Sequence, residues 1–430
     1  MEPPNKHTTS NDEPAMSHSL PELSALPEPV LIHILSFMDP KEAVQTCILS
    51  KQWRNLWTLT PSLNFEFKRV GVRRTTAAFV HFVANMLYFR GASKLDTFRL
   101  RWHAGSQHQV SCYSDVICEI HVSNASSWIF SALRCKPRVI SLDFLGFTNL
   151  KLPHALFTCT SLEQLELKLS NRYNEETIGP KYVNLPNLKK LKLSVLTLKD
   201  PVMQEILWGC PLLEELSLSE CILKFNKMKS GCLRHLTIKS CPGYGVAEIF
   251  MPSLISVHLE DSCPGRNKLS LKNTPSLVKV FISYEYFHEH FFSSTEVEFF
   301  NSLTTVTDLE LYDTGVKALL EKIIPNCPVL DNLKRLTFGK WLINEKLDLL
   351  CQLLQHTPNL EKLTVVHKKP TNPGRIEKKR ATGQIPFKCK QLKAIEIKYS
   401  DPSGVHELVD ILVRNTSHRE KSVRIDFSRF

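Results

Sequence analysis

One spacing constrains this chain more than any other feature. An apolar residue, two others, an apolar residue, one other and a third apolar residue recur twelve times between Leu95 and Ile397, in stretches such as "NLPNLKKLKL", "GCPLLEELSL" and "HTPNLEKLTV". Successive copies lie 20 to 32 residues apart, except for a gap of 44 between Leu95/Phe98/Leu100 and Val139/Leu142/Phe144. The last two apolar positions of each copy share one face of a strand, because strand side chains alternate. Each copy therefore predicts one short strand with an inward pair. A Pro corner often precedes it, and helix-like stretches such as 203–208, 316–324 and 347–355 separate the strands. A unit this small cannot bury its own apolar edge, so the units must stack into a parallel-stranded α/β solenoid. Residues 75–89, "TTAAFVHFVANMLYF", carry Phe79, Phe82, Val83 and Met86 at helical spacing and are expected to cover the open edge of the first strand.

Composition narrows the function classes. The first twenty residues are polar and lack the apolar core of a signal peptide. No run approaches the roughly 18 apolar residues of a membrane span. Both point to the cytoplasm or nucleus, where the 13 cysteines stay reduced. Those cysteines form no CxxC pair, and "GCP" at Cys210, "SCP" at Cys241 and Cys263 and "NCP" at Cys327 read as buried structural thiols. There is no GxSxG, P-loop, HExxH or zinc-finger spacing. "FHEH" offers only His288 and His290, too few to specify a metal. No catalytic residue, metal or cofactor is expected.

The N-terminal stretch "LPEPVLIHILSFM" raises a different problem. At ~100° per residue its apolar side chains from Val30 to Met38 span an arc of roughly 220°, about twice what a surface helix buries. "DPKEAVQTCILSKQWRNLW" follows, with Asp39 and Glu42 at capping-box spacing, Pro40 at a first helical position, and Ala43, Val44, Cys47 and Ile48 as a stripe. Ser50 is placed to cap a third helix bearing Trp53, Leu56 and Trp57. Three short helices in some 40 residues make a marginal core. The excess apolar surface, mainly on the first helix, calls for a partner protein.

These residues resemble the F-box, in the form found in plant F-box/leucine-rich-repeat proteins. The matching points are Leu26-Pro27, Leu31/Ile34/Leu35, Lys41-Glu42-Ala43-Val44, Leu49-Ser50-Lys51, Trp53-Arg54 and Leu56-Trp57, with Pro29 as a departure where a helix-favouring residue is usual. The repeats resemble leucine-rich repeats of irregular length. Composition, the repeat and the resemblance together divide the chain into a disordered leader at 1–20, an F-box at 21–66, a repeat solenoid with a helical cap at 67–366, a basic loop at 367–386 and a last repeat with a C-terminal cap at 387–430. That cap resembles the FBD region, with "KYSDPSG" in place of its glycine-rich turn. The implied role is that of substrate receptor in an SCF-type ubiquitin ligase. The F-box would dock on a Skp-family adaptor and, through it, a cullin scaffold, with Leu26, Pro27, Leu31, Ile34, Leu35 and Trp53 as adaptor residues. For each of them the competing reading is a core position. The competing function is a repeat scaffold outside any ligase; a receptor for a small ligand is a third.

The residues flanking each inward pair should line the concave face. They include ten basic residues, among them Arg99, Lys168 and Lys192, and seven acidic ones, among them Asp143 and Glu166. So mixed a surface favours a protein over nucleic acid, despite the net charge of +11. Phe281 and Tyr312 are candidate substrate anchors there, joined by Tyr284 and Tyr286 from "SYEYFHEHFF"; their competing role is to cover a loop. Finally, Lys368-Lys369 and Lys378-Lys379-Arg380 have the two-part form of a nuclear import signal, with a short spacer.

Overall fold

The computed structural model describes residues 26–67, 74–103, 115–145, 150, 152–169, 182–242, 245–261, 267–284, 294–313, 315–341, 343–367, 389, 391–400, 405–415 and 423–429. Its centre is a sheet of fourteen strands lying side by side in chain order. They are β1 (Ser62–Phe67), β2 (Thr97–His103), β3 (Val139–Leu145), β4 (Gln164–Leu169), β5 (Lys190–Ser194), β6 (Glu215–Ser219) and β7 (His235–Lys239). The second half continues with β8 (Ser256–Asp261), β9 (Lys279–Tyr284), β10 (Asp308–Tyr312), β11 (Arg335–Trp341), β12 (Lys362–His367), β13 (Ala394–Tyr399) and β14 (Arg424–Arg429). Every neighbouring pair is parallel, as the repeat requires.

All twelve predicted strands are present, and two more extend the sheet. β1 precedes the first copy and pairs Leu63 with Phe98 and Phe65 with Leu100. This corrects the role expected of residues 75–89: they lie in α3 (Arg74–Arg90), which connects β1 to β2 and does not close the edge of β2. One register also differs. Phe98 and Leu100 face Ile140 and Leu142, so the copy written as Val139/Leu142/Phe144 is displaced by two residues. A two-residue shift keeps the same face, which is why Phe144 is buried all the same.

In most triplets the first apolar residue turns the chain into its strand. The amides of Leu162, Leu188, Leu213, Leu254 and Leu360 each donate to the carbonyl three residues back. Asparagines then stitch neighbouring corners: the Asn187, Asn332 and Asn359 side-chain amides donate to the carbonyls of Thr160, Thr304 and Asp331 at 2.7, 2.9 and 2.9 Å. The "PNL" and "DNL" stretches thus bond between units at the exposed corners. Several strand exits use left-handed backbone without glycine. Val195, Glu220, Ser240 and Asp313, directly after β5, β6, β7 and β10, have φ of 61, 53, 47 and 71°. Each amide donates to a carbonyl at the end of the next strand or within two residues of it, those of Ser219, Lys239, Glu260 and Gly339, at 3.0, 2.8, 2.6 and 3.2 Å, and this ladder offsets the strain.

Behind the sheet, α3 packs with α4 (Asp115–Arg134); α5 (Asp200–Gly209), α6 (Ser294–Asn301), α7 (Gly315–Ile323), α8 (Ile343–Gln355) and α9 (Val405–Asn415) fill later connections. The expected helices at 203–208, 316–324 and 347–355 correspond to α5, α7 and α8. Where helices are sparse, short parallel ribbons replace them: Thr197–Lys199 with Ile222–Lys224, and Lys227–Lys229, Gly245–Phe250 and Asn267–Lys272 in a three-stranded sheet. One core runs from Leu63 to Leu412. Its first layer is aromatic, with Trp102 stacked on Trp128 at 5.4 Å and meeting Phe67 and Phe79 edge-on at 5.9 and 5.6 Å.

Cys210, Cys241 and Cys327 belong to this core, whereas Cys263 lies outside the described residues. Burial pushes the Cys210 thiol up to about 12 and those of Cys327 and Cys389 up to about 11, so they stay protonated and unreactive at neutral pH. Cys221 and Cys241 occupy the positions two after β6 and β7, where the Cys221 amide donates to Cys241 Sγ at 3.4 Å.

Candidate functional site

Two surfaces carry the features that function needs, one at each side of β1. The first is the N-terminal trio. α1 (Glu28–Leu35) starts with Pro29 inside its first turn, and α2 (Pro40–Gln45) starts at Asp39, whose carboxylate accepts from the Lys41 amide at 2.9 Å. Leu31, Leu35, Ala43, Trp53 and Leu56 form a private core, with Leu26, Ile32, Met38 and Trp57 packed on it. Val44 and Trp57 also touch the core of the sheet, and α2 lies against β1.

This arrangement corrects several expectations. Leu31, Leu35 and Trp53 are buried inside the trio and present almost no surface to an adaptor. Leu26 and Ile34 are half-buried, and Pro27 is exposed. The third helix is a run of turns ending in a 3-10 segment, Leu56–Leu59, and the buried Ser50 hydroxyl caps nothing. Most importantly, the uncovered apolar surface is not confined to the first helix. Phe37 is 77 % exposed just after α1, but Ile48 is 84 % and Leu49 60 % exposed after α2. Ile48 belongs to the apolar stripe of Ala43, Val44 and Cys47, four residues after Val44. The α-helix ends at Gln45, however, and Thr46–Ile48 tightens to 3-10. A residue in a 3-10 turn advances by about 120° instead of 100°, and this turns Ile48 outward. Thr46 Oγ1, donating to the Ala43 carbonyl at 2.7 Å, fixes that change.

The second surface is the open face of the sheet, where the residues between inward pairs stand in cross-strand rows. At its centre three rings form a continuous row across β8, β9 and β10. His258 stacks on Phe281 at 4.1 Å and 5°, and Phe281 stacks on Tyr312 at 5.1 Å and 25°. The row ends over Gly339 of β11, paired with Tyr312 in the register. A Cβ built on Gly339 would fall inside the Tyr312 ring, so only glycine admits this placement. Burial, with Glu310 nearby, raises the Tyr312 phenol above its ordinary value. Tyr284 is different: it is half-buried and packs on the core. Tyr286, His288, His290 and the basic residues Lys368, Lys369, Lys378, Lys379 and Arg380 lie outside the described residues.

Ion pairs frame the ring row. Lys239 reaches Glu260 at 2.8 Å and His258 reaches it at 3.2 Å; Lys279 reaches Glu310 at 2.5 Å, and Arg335 reaches Asp308 at 3.1 Å. Further along, Lys362 and Lys398 share Glu396 at 2.7 and 3.3 Å. The hydrogen bond from Lys239 holds the Glu260 carboxyl below its ordinary range, and that from Lys362 does the same for Glu396. Depressed carboxyl values stabilise the fold above the unfolded range near 4.5, and that stability is lost as pH falls through the lowered folded values. Acidification from pH 6 to pH 3 is therefore expected to lower the denaturation midpoint, and Glu260→Gln with Glu396→Gln to flatten the change. Both pairs are solvated, so each contributes less than about 1 kcal/mol. Added salt should shrink the difference further.

The F-box domain model matches residues 23–64, and the model for the leucine-rich repeats of FBD-associated F-box protein At5g56370 matches residues 138–365. The chain belongs to the plant F-box/LRR-repeat family. Among similar proteins of Arabidopsis thaliana, putative F-box/LRR-repeat protein At5g02930 is 30% identical over 378 residues, covering 81% of this chain and 73% of that protein. Putative F-box/LRR-repeat protein At3g42770 is 27% identical over 358 residues; the match covers 80% of this chain and 64% of that longer protein. F-box/FBD/LRR-repeat protein At1g78750 is 30% identical over 204 residues, or 46% of this chain. The F-box match coincides with the trio, including its uncovered Phe37, Ile48 and Leu49. The repeat match covers β3 to β12 and so includes the ring row. No helix among the described residues is long and apolar enough to cross a membrane.

Proposed function

We propose that this F-box/LRR-repeat protein is the non-catalytic substrate-recognition subunit of an SCF-type ubiquitin ligase. The trio docks on a Skp-family adaptor and, through it, a cullin scaffold, and the open face of the sheet holds a protein substrate for ubiquitination. The observation that carries this reading is the pairing of an F-box module that leaves Phe37, Ile48 and Leu49 uncovered with a fourteen-stranded sheet whose open face bears a ring row. Large aliphatic and aromatic side chains left uncovered on one small module suit an interface. Transfer then follows from proximity supplied by the assembly, so the chain needs no nucleophile of its own. The nucleus or cytoplasm is the compartment this role requires.

Co-expression of the full chain with a plant Skp-family adaptor, followed by size-exclusion chromatography, tests the reading. A one-to-one complex is expected. A chain that is monodisperse alone and ignores the adaptor would make it a scaffold outside the ligase. Phe281→Ala with Tyr312→Ala is expected to lower substrate capture by at least about tenfold, the range of an interface anchor, with adaptor binding unchanged. Substrate capture that survives this double substitution would move the anchors elsewhere on the sheet.

A further inference from the structure

The charges of the open face are unevenly spent. Glu215, Glu260, Asp308, Glu310 and Glu396 are each held by a cation of a neighbouring strand. Arg99, Lys168 and Lys192, by contrast, have no ion-pair or hydrogen-bond partner among the described residues. They stand on β2, β4 and β5 of the same face. Arg99, Ser141, Glu166 and Lys192 follow one another across one row, and Lys168 stands in the next row, two residues beyond Glu166.

The register ought to neutralise both lysines, since it sets Asp143 beside Lys168 and Glu166 beside Lys192. Neither carboxylate turns that way. Asp143 is drawn to the opposite side, 3.3 Å from Arg101 Nε and 3.1 Å from His103 Nε2. Glu166 Oε2 accepts from Ser141 Oγ at 3.0 Å, on β3. Together β2 to β5 carry Arg99, Arg101, Lys168, Lys190 and Lys192 on the open face against only Asp143 and Glu166.

We infer that this basic cluster binds a carboxylate-rich segment of the substrate protein. The inference rests on reading the open face as the substrate surface. Solvated cations without partners give up little on meeting a carboxylate, whereas the paired cations further along would first have to release one. Nucleic acid fits poorly, because a strand running past β5 would meet Glu215, Glu260 and Glu310. The cluster also sets a spacing. Lys192 on β5 and Phe281 on β9 are four strand steps apart, about 19 Å at ~4.8 Å per step, which an extended peptide crosses in about six residues. The segment recognised is therefore an acidic pair followed, about six residues on, by an aromatic or large aliphatic side chain.

The test uses the full chain in complex with its adaptor and fluorescein-labelled peptides of twelve residues. One peptide carries Asp-Glu, a Gly/Ser spacer of five residues and Phe; the second replaces Asp-Glu by Asn-Gln; a third probe is a single-stranded oligonucleotide of twelve nucleotides. Fluorescence anisotropy is expected to show the acidic peptide binding at least tenfold tighter than its amide counterpart. Lys168→Glu with Lys192→Glu should abolish that preference, and Lys229→Glu with Lys272→Glu, an equal charge change on the three-stranded side sheet, should leave it intact. Equal affinity for the two peptides, indifference to the Lys168/Lys192 change, or tighter binding of the oligonucleotide would each overturn the inference. The adaptor complex is assembled beforehand and scored separately, so its loss would strike the ligase reading and not this one.

Discussion

Replacing Ile48 and Leu49 together by Asp is expected to weaken adaptor capture at least about a hundredfold and to leave thermal unfolding almost unchanged. Both side chains are largely exposed in the chain. Covering an aliphatic side chain of this size contributes about 1.5–3 kcal/mol, and each ~1.4 kcal/mol is tenfold in affinity. Two of them therefore account for two orders of magnitude before the cost of burying a charge is added. Because neither packs in the core, folding stability should move by less than about 0.5 kcal/mol. Titration calorimetry against purified adaptor, with a melting curve on the same sample, reads both quantities. A contrasting variant sharpens the result. Leu31→Ala removes a buried leucine from the trio's own core and should cost about 2–5 kcal/mol in its stability. It would lose the adaptor by unfolding the module, with a changed melting curve. Undiminished capture by the Ile48/Leu49 variant would place the adaptor on another face of the trio, such as that around Leu26 and Pro27.

Trp102→Ala is expected to destabilise the start of the solenoid by about 3–5 kcal/mol. The indole is buried between β2 and its neighbours, stacked on Trp128 of α4 and edge-on to Phe67 of β1. It ties three units into one layer, and Val44 and Trp57 of the trio pack against the same continuous core. In a stacked array the loss stays local to neighbouring units. Denaturation of this variant should show an early transition that reports the N-terminal units, with the later units melting as before. Hydrogen exchange read peptide by peptide would locate it: fast exchange in β1, β2 and β3, unaltered protection in β9 to β12. A uniform loss of protection along the chain would show that the fourteen strands unfold as one unit.

Much of this architecture was legible without coordinates. The spacing of two between Leu191 and Leu193, or Leu363 and Val365, can only be one face of a strand, and its recurrence admits only stacking. The ring row was half legible. Phe281 and Tyr312 fall on outward positions of the repeat, and that signal marked them. His258 gave none beyond its register, and Gly339 appeared as an ordinary glycine. The free lysines were invisible for a related reason: a count of charges on the open face cannot tell which carboxylate turns to which neighbour.

The N-terminal trio shows the same division from the other side. Its helices, its Asp39 cap and its excess of apolar residues follow from the sequence. Which of those residues face out does not, because one change from α to 3-10 geometry at Thr46 turns Ile48 away from the core while its spacing from Val44 stays the same. By itself, then, the sequence determined the parallel solenoid and the F-box ahead of it, since strand alternation and helical spacing are local and periodic. Only the tertiary structure decided that the sheet begins at β1, that Leu31, Leu35 and Trp53 are core, and that the rings of His258, Phe281 and Tyr312 stack on one another. Those facts depend on contacts between residues far apart in the chain, which no local period records.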